Sequence, residues 1–162
     1  MLDRQAGRKN RIGRGYSYLH NAVDDHSRLA YSEILADEKK ETASAFWTRA
    51  QELFSQAGIT VQRIPTDNGS CYRSRTWATT LADAGIAHKR TRPYRPQTNG
   101  KVERFNRTLL DEWAYTRPYS SEQERRDAFP VWLHNYNHHL RHTALKRLPP
   151  ASRVPNLSGQ YT

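Results

Sequence analysis

Between Tyr16 and Gly58 the apolar period switches from two residues to three and four, and this switch limits the fold more than any other feature of the chain. YSYLHNAV (16–23) and LAYSEIL (29–35) are rich in aromatic and β-forming residues. They flank DDHSR (24–28), which is turn material, so 16–35 predicts an antiparallel hairpin. In 36–58, Ala43, Phe46, Trp47, Ala50, Leu53, Phe54 and Ala57 repeat at helical spacing, and Gly58 is a suitable stop. ITVQRI (59–64) then predicts a short strand leading to Asp67, 74–84 a helix closed by Gly85, and IAHKR (86–90) another strand. Residues 91–100, with two prolines and a glycine, read as a loop. A helix follows over 101–115, with Val102, Phe105, Leu109 and Trp113 on its apolar stripe. A last helical region spans about 122–140, with Pro130 kinking it or starting its second half. Strands alternating with helices in this order predict an α/β domain, a mixed sheet flanked by helices.

The 162 residues suit one domain. Residues 1–15 read as a basic disordered arm carrying Arg4, Arg8, Lys9, Arg11 and Arg14, 16–150 as the folded core, and 151–162 as an extended or disordered tail. With hydrophobic residues at 36% and a mean hydropathy of −0.96, the core is lean. Lys and Arg total 26 against 16 Asp and Glu, a formal charge of +10, which points to an anionic partner. Nucleic acid leads. No basic helix has a broad apolar face to lie on a membrane, and no apolar run approaches the roughly 18 residues of a spanning helix. The basic N-terminus lacks the apolar stretch of a signal peptide, so a cytoplasmic protein is expected. Cys71, the single cysteine, excludes an internal disulfide and reads as a small buried residue.

Asp67 stands where an apolar run stops and an Asn-Gly turn begins, in IPTDNGS. Local turn hydrogen bonding accounts for an Asp there. Yet Asp67 also lies at the carboxyl end of a predicted strand, where ligands collect in open α/β sheets. Downstream, from His88 to Arg107, stand seven cations and one acid, Glu103. An i,i+4 pair with Arg107 on a solvated helix face would explain Glu103 on spacing alone. Together, two carboxylates inside a cationic segment also suit a hard cation such as Mg²⁺ beside a phosphodiester.

VQRIPTDNGSCYRS, followed by TRPYRPQTNGKVERFNRTL, closely resembles the catalytic core of retroviral-type integrases and related bacterial insertion-sequence transposases. The shared features are the T-D-N-G turn, the P-Y-x-P-Q-x-N-G loop, E-R-F-N on a helix, and the thirty-five residues between Asp67 and Glu103. The likeness runs from about Tyr16 to Pro149 and Pro150, and the bacterial branch is the nearer. It implies a ribonuclease-H-like fold and DNA transposition or integration by metal-dependent polynucleotidyl transfer. Asp67 and Glu103 match the second and third members of the family's Asp-Asp-Glu triad. Mg²⁺ or Mn²⁺ is the implied cofactor, with Asp67 and Glu103 as ligands. DNA, as element ends and target, is the implied partner of a homo-oligomer, in a bacterial cytoplasm and associated with the nucleoid when bound to DNA. Gln97, Asn99, Lys101, Arg104, Asn106 and Arg107 fall where DNA contacts are expected.

The triad's first Asp belongs on a strand upstream of the hairpin. Leu2 precedes Asp3, but Arg-Gln-Ala-Gly-Arg-Lys-Asn follows, which does not read as a buried strand. The chain is therefore expected to be N-terminally shortened and to lack the first, central strand of the sheet. Asp24 is a weak third candidate, and Asp25 a weaker one. An alternative reading follows: a catalytically inactive, DNA-binding remnant. Separately, His134, His138 and His142 are spaced to share a helical face, which suits packing before a zinc site.

Overall fold

The computed structural model describes residues 2–6 (as backbone), 17–91 and 100–156. Five strands form one sheet: β1 (Leu2–Ala6), β2 (Tyr18–Val23), β3 (Ala30–Leu35), β4 (Arg63–Thr66) and β5 (Ala87–Arg90). Their order is β3-β2-β1-β4-β5. The first three strands pair antiparallel, while β1, β4 and β5 pair parallel, so the sheet is mixed as expected.

The expected absence of the central strand is corrected. Leu2–Ala6 occupies that place, paired with β2 from Leu2↔Ala22 to Ala6↔Tyr18 and meeting β4 at Leu2↔Thr66. A β ladder is built from main-chain N–H and C=O groups, which every non-proline residue carries. LDRQA lacks the apolar alternation that marks a strand in sequence, but it can complete the ladder between two neighbours. The basic-arm reading therefore fails for residues 2–6, and residues 7–15 lie outside those described.

Helices cover both faces. On one side lie α1 (Lys40–Gln56) and α2 (Arg75–Asp83). Ala43, Phe46, Trp47, Ala50 and Phe54 of α1 pack there with Trp77 and Leu81 of α2 and Ile64 of β4. Cys71 is buried in this core, as read. Ser74 caps α2, accepting the Trp77 N–H at 3.1 Å. Gly58 ends α1 at φ +84°, a conformation that favours glycine.

On the other side lie α3 (Gly100–Leu109) and α4 (Glu122–His138). The predicted helix over 101–115 loosens into a π turn at Leu110–Ala114, which keeps Trp113 buried against Phe129 at 4.6 Å. Pro130 sits inside α4, which is assigned as one continuous helix. Near its end, Asn137 accepts the Ala30 N–H at 2.9 Å and donates to the Ala30 carbonyl at 2.8 Å, clamping α4 to β3.

The start of the expected loose tail is packed. Pro150–Arg153 forms a 3₁₀ turn, Ala151 and Val154 are buried, and Asn156 donates to the Gln56 carbonyl at 2.7 Å. Two buried side chains and a tie to the end of α1 hold this segment, a pairing that local sequence does not reveal. Residues 157–162 lie outside those described. Among the described residues, no helix is long and apolar enough to cross a membrane.

Candidate active site

Asp67 leaves the carboxyl end of β4 half-buried. Its Oδ1 accepts the Gly69 N–H at 2.6 Å, so the turn hydrogen bond anticipated from sequence is formed. Further bonds latch this turn to β5. Asn68 Nδ2 donates to the Thr91 carbonyl at 2.9 Å, and the Thr91 N–H donates to the Thr66 carbonyl at 2.9 Å. The buried Thr66 hydroxyl lies 2.8 Å from His88 Nε2. Burial, reinforced by the Arg90 charge, pushes the His88 imidazole below its ordinary value, which favours the neutral ring at this bond.

Glu103 projects from the first turn of α3 and is exposed. The ion pair with Arg107 that its spacing permits is not formed; among the described residues Glu103 has no ion-pair partner. Two ties hold its helix against the sheet. Asn21 Nδ2 donates to Asn106 Oδ1 at 2.7 Å, in a site where both residues are buried, and the Ser32 hydroxyl donates to Asn21 Oδ1. Lys101 Nζ sits 2.6 Å from Asp25 in the turn between β2 and β3.

The strand register completes the picture on the backbone. Asp3 pairs with Asn21 across the antiparallel β1–β2 ladder, and residues paired directly lie on one face of a sheet. Asn21 holds α3, so position 3 is on the α3 face. In the parallel β1–β4 pair, Leu2 matches Thr66, which brings the next residues, Asp3 and Asp67, side by side.

The other expected residues divide. Asp24 is engaged in its own turn: its Oδ2 accepts both the Ser27 N–H at 2.7 Å and the Ser27 hydroxyl at 2.6 Å. Asp25 is taken by Lys101 and Arg28. Asn106, expected at DNA, is 4% exposed and turned inward to Asn21, because its place on α3 faces the strand. Arg104 and Arg107 are exposed. Gln97 and Asn99 lie outside the described residues. The three histidines do not share a helical face, since α4 ends at His138; His134 stacks on His138 at 4.6 Å, while His142 packs on Tyr136. Among the described residues no cluster of three or more metal-ligating side chains forms. Asp67, at the carboxyl end of β4, offers carboxylate oxygens, the ligand type of a hard cation.

Sequence reasoning missed Asn21 and set Asp3 aside. A polar His20-Asn21 pair inside a predicted strand was the available signal for the first. Nothing in the polar run after Asp3 signalled the second.

Two models described as integrase core domain match the chain, one over residues 7–96 and the other over 84–150. The Pol polyprotein from transposon TNT 1-94 of Nicotiana tabacum is 33% identical over 98 residues, which is 60% of this chain and 7% of that protein. A putative integrase of Spiroplasma virus SpV1-C74 is 24% identical over 157 residues, 87% of this chain and 42% of that protein. The chain thus spans less than half the length of either relative. Among solved structures, an intasome chain of simian T-cell lymphotropic virus superposes with a TM-score of 0.74 at 24% identity, covering 93% of this chain and 51% of that one. The catalytic core domain of HTLV-2 integrase, solved with magnesium, gives 0.68 at 19% identity, covering 91% and 89%. These likenesses establish a ribonuclease-H-like fold.

Proposed function

The chain belongs to the integrase core domain family, and from that premise we propose that it is the catalytic core of a transposase that joins DNA strands by metal-dependent polynucleotidyl transfer. Asp67 and Glu103 are two of its carboxylates, and Asp3 is the third. The observation that carries this reading is the register of β1, which sets Asp3 beside Asp67 on the face that α3 covers. The inactive-remnant alternative starts from a missing first triad Asp, and the β1 register supports Asp3 for that place.

Asp3, Asp67 and Glu103 would hold Mg²⁺ or Mn²⁺, which supplies Lewis-acid polarisation of the attacking hydroxyl and of the scissile phosphate. A solved relative in the family contains magnesium in its catalytic core. The chain's own residues do the positioning. The Asn68 and Thr91 bonds fix the direction in which Asp67 leaves β4, and the Asn21–Asn106 bond fixes the height of Glu103 above the sheet. Lys101, Arg104, Arg107 and the loop residues Gln97 and Asn99 bind the DNA backbone. A 3′-hydroxyl at the element's end gives up its proton to solvent and forms a bond to phosphorus as the target's own P–O3′ bond breaks, and the displaced 3′-oxygen takes up a proton in turn. Joining two element ends requires more than one copy of the chain on DNA. Such a protein acts in a bacterial cytoplasm, on the nucleoid.

The test is a strand-transfer assay with a labelled oligonucleotide bearing a free 3′-hydroxyl. Joined product is expected with Mg²⁺, none with EDTA, and none from Asp67→Asn or Glu103→Gln. Product that persists with EDTA sinks the metal-dependent reading. Asn keeps an Oδ1 for the Gly69 N–H, so the Asp67→Asn chain retains its turn.

A further inference from the structure

A cleft of about 460 Å³ opens on α3, between that helix, the turn before β3 and the segment after α4, and neither Asp67 nor Glu103 is among its described lining residues. Its size falls within the roughly 300–1,000 Å³ of clefts that hold small molecules. The rim is cationic: Arg28, Arg104 and Arg141 line it, together with Lys101. Lys101 and Arg28 are engaged with Asp25, but Arg104 and Arg141 have no ion-pair partner among the described residues. Glu112, the one carboxylate among the described lining residues, is 3.4 Å from the Trp132 Nε1. The floor is apolar, made by Phe105, Tyr136 and Leu140, with the first two rings in edge contact at 4.9 Å.

One lining group carries an unmet demand. His142 Nε2 is buried without a hydrogen-bond partner among the described residues. Such an atom costs stability unless something arrives to bond it. Burial holds this imidazole below its ordinary value against a backbone hydrogen bond at Tyr136 that raises it, and the Arg104 and Arg28 charges add to the lowering.

We propose that this cleft binds one unpaired nucleotide of a DNA strand, its phosphate on Arg104 and Arg141 and its base over the Phe105–Tyr136–Leu140 floor beside His142. Cations alone would suit any phosphate. The apolar floor adds a preference for a nucleoside, and the concave shape selects an unstacked nucleotide over the outer face of a duplex. The proposal rests on the nucleic-acid reading of the chain but not on its carboxylate chemistry.

The test titrates the full chain with deoxyadenosine monophosphate, inorganic phosphate and deoxyadenosine, followed by NMR at Tyr136 and His142. The nucleotide is expected to bind about tenfold more tightly than either part. Arg141→Gln and Thr143→Glu change exposed rim residues, and each should weaken nucleotide binding about tenfold. A single-stranded oligonucleotide should depend on Arg141 more than a blunt duplex does. Equal binding of nucleotide and inorganic phosphate would reduce the cleft to an anion patch and overturn the proposal. So would absence of saturable nucleotide binding, or indifference to both substitutions. Asp67→Asn should leave nucleotide binding unchanged. Nucleotide binding in a chain that fails at strand transfer would leave the cleft standing and remove the proposed activity.

Discussion

The two faces of the sheet are held in different ways. Under α1 and α2 the packing is dominated by apolar side chains: Trp47, Phe46, Trp77, Leu81 and Ile64 are each at most 2% exposed. Under α3 and α4 polar bonds run through the packing. Asn106 meets Asn21, Asn137 clamps Ala30, and the Trp113 Nε1 donates to the Arg125 carbonyl at 2.9 Å. Apolar contact is tolerant of small sliding, whereas a buried hydrogen bond fixes direction and distance. The difference teaches where precision is required. The first face supplies stability, and the second sets the helix that carries Glu103.

If that contrast is right, Trp77→Ala on the first face should have the largest effect on folding. A large cavity costs about 3–5 kcal/mol, a major part of the roughly 5–15 kcal/mol that holds a domain together. Urea denaturation should show the loss, and a fall under 1 kcal/mol would mean that this face is not the stabilising one. Next comes Asn21→Ala on the second face. Leaving Asn106 without this bond should cost about 1–3 kcal/mol in the same denaturation series. Strand transfer should fall further than stability does, since Glu103 loses its reference to the sheet. Equal losses would make Asn21 merely structural. Asn137→Ala removes two bonds to Ala30 and should also cost about 1–3 kcal/mol, with strand transfer falling only in step with the folded fraction, because this clamp is on α4.

The smallest effect concerns the entry to α4. Hydrogen bonds from the Ser120 hydroxyl and N–H, followed by the Arg117 guanidinium, hold the Glu124 carboxyl down from 4.5 to about 2. A depressed folded value means that this contribution is present above the unfolded value and is lost as pH falls from about 4.5 through about 2. A ¹³C carboxyl titration should show Glu124 still ionised at pH 3, and a midpoint near its ordinary value would dissolve the cap. The group is exposed, so global stability should hardly respond.

Much of this architecture is legible in the sequence, where side-chain pattern decides it. The stripe from Ala43 to Phe54, the aromatic hairpin and the T-D-N-G turn each announce an element through local chemistry. Main-chain pairing is different. Leu2–Ala6 joins the sheet by pairing with residues from twelve (Ala6 with Tyr18) to sixty-four (Leu2 with Thr66) positions away, and Arg4 and Gln5 give no hint of it. The tail is hidden for the same reason, since Asn156 finds its partner at Gln56. Within the candidate site, Asp67 and Glu103 stand out as acids in a basic segment. Asn106 misleads, because an exposed and an inward position differ by one step around the helix. Asp24 misleads as well, since an acidic turn residue serves its own turn first.

The central claim is that Asp3, on β1, completes the carboxylate set. The direct measurement compares strand transfer by Asp3→Asn and Asp24→Asn chains at equal DNA occupancy in Mg²⁺. Asp3→Asn should lose at least about 100-fold, close to 2.7 kcal/mol of barrier, while Asp24→Asn stays within a few-fold of the parent. An Asp3→Asn chain that joins strands at the parent rate, or an Asp24→Asn chain that binds DNA but joins none, would contradict the account.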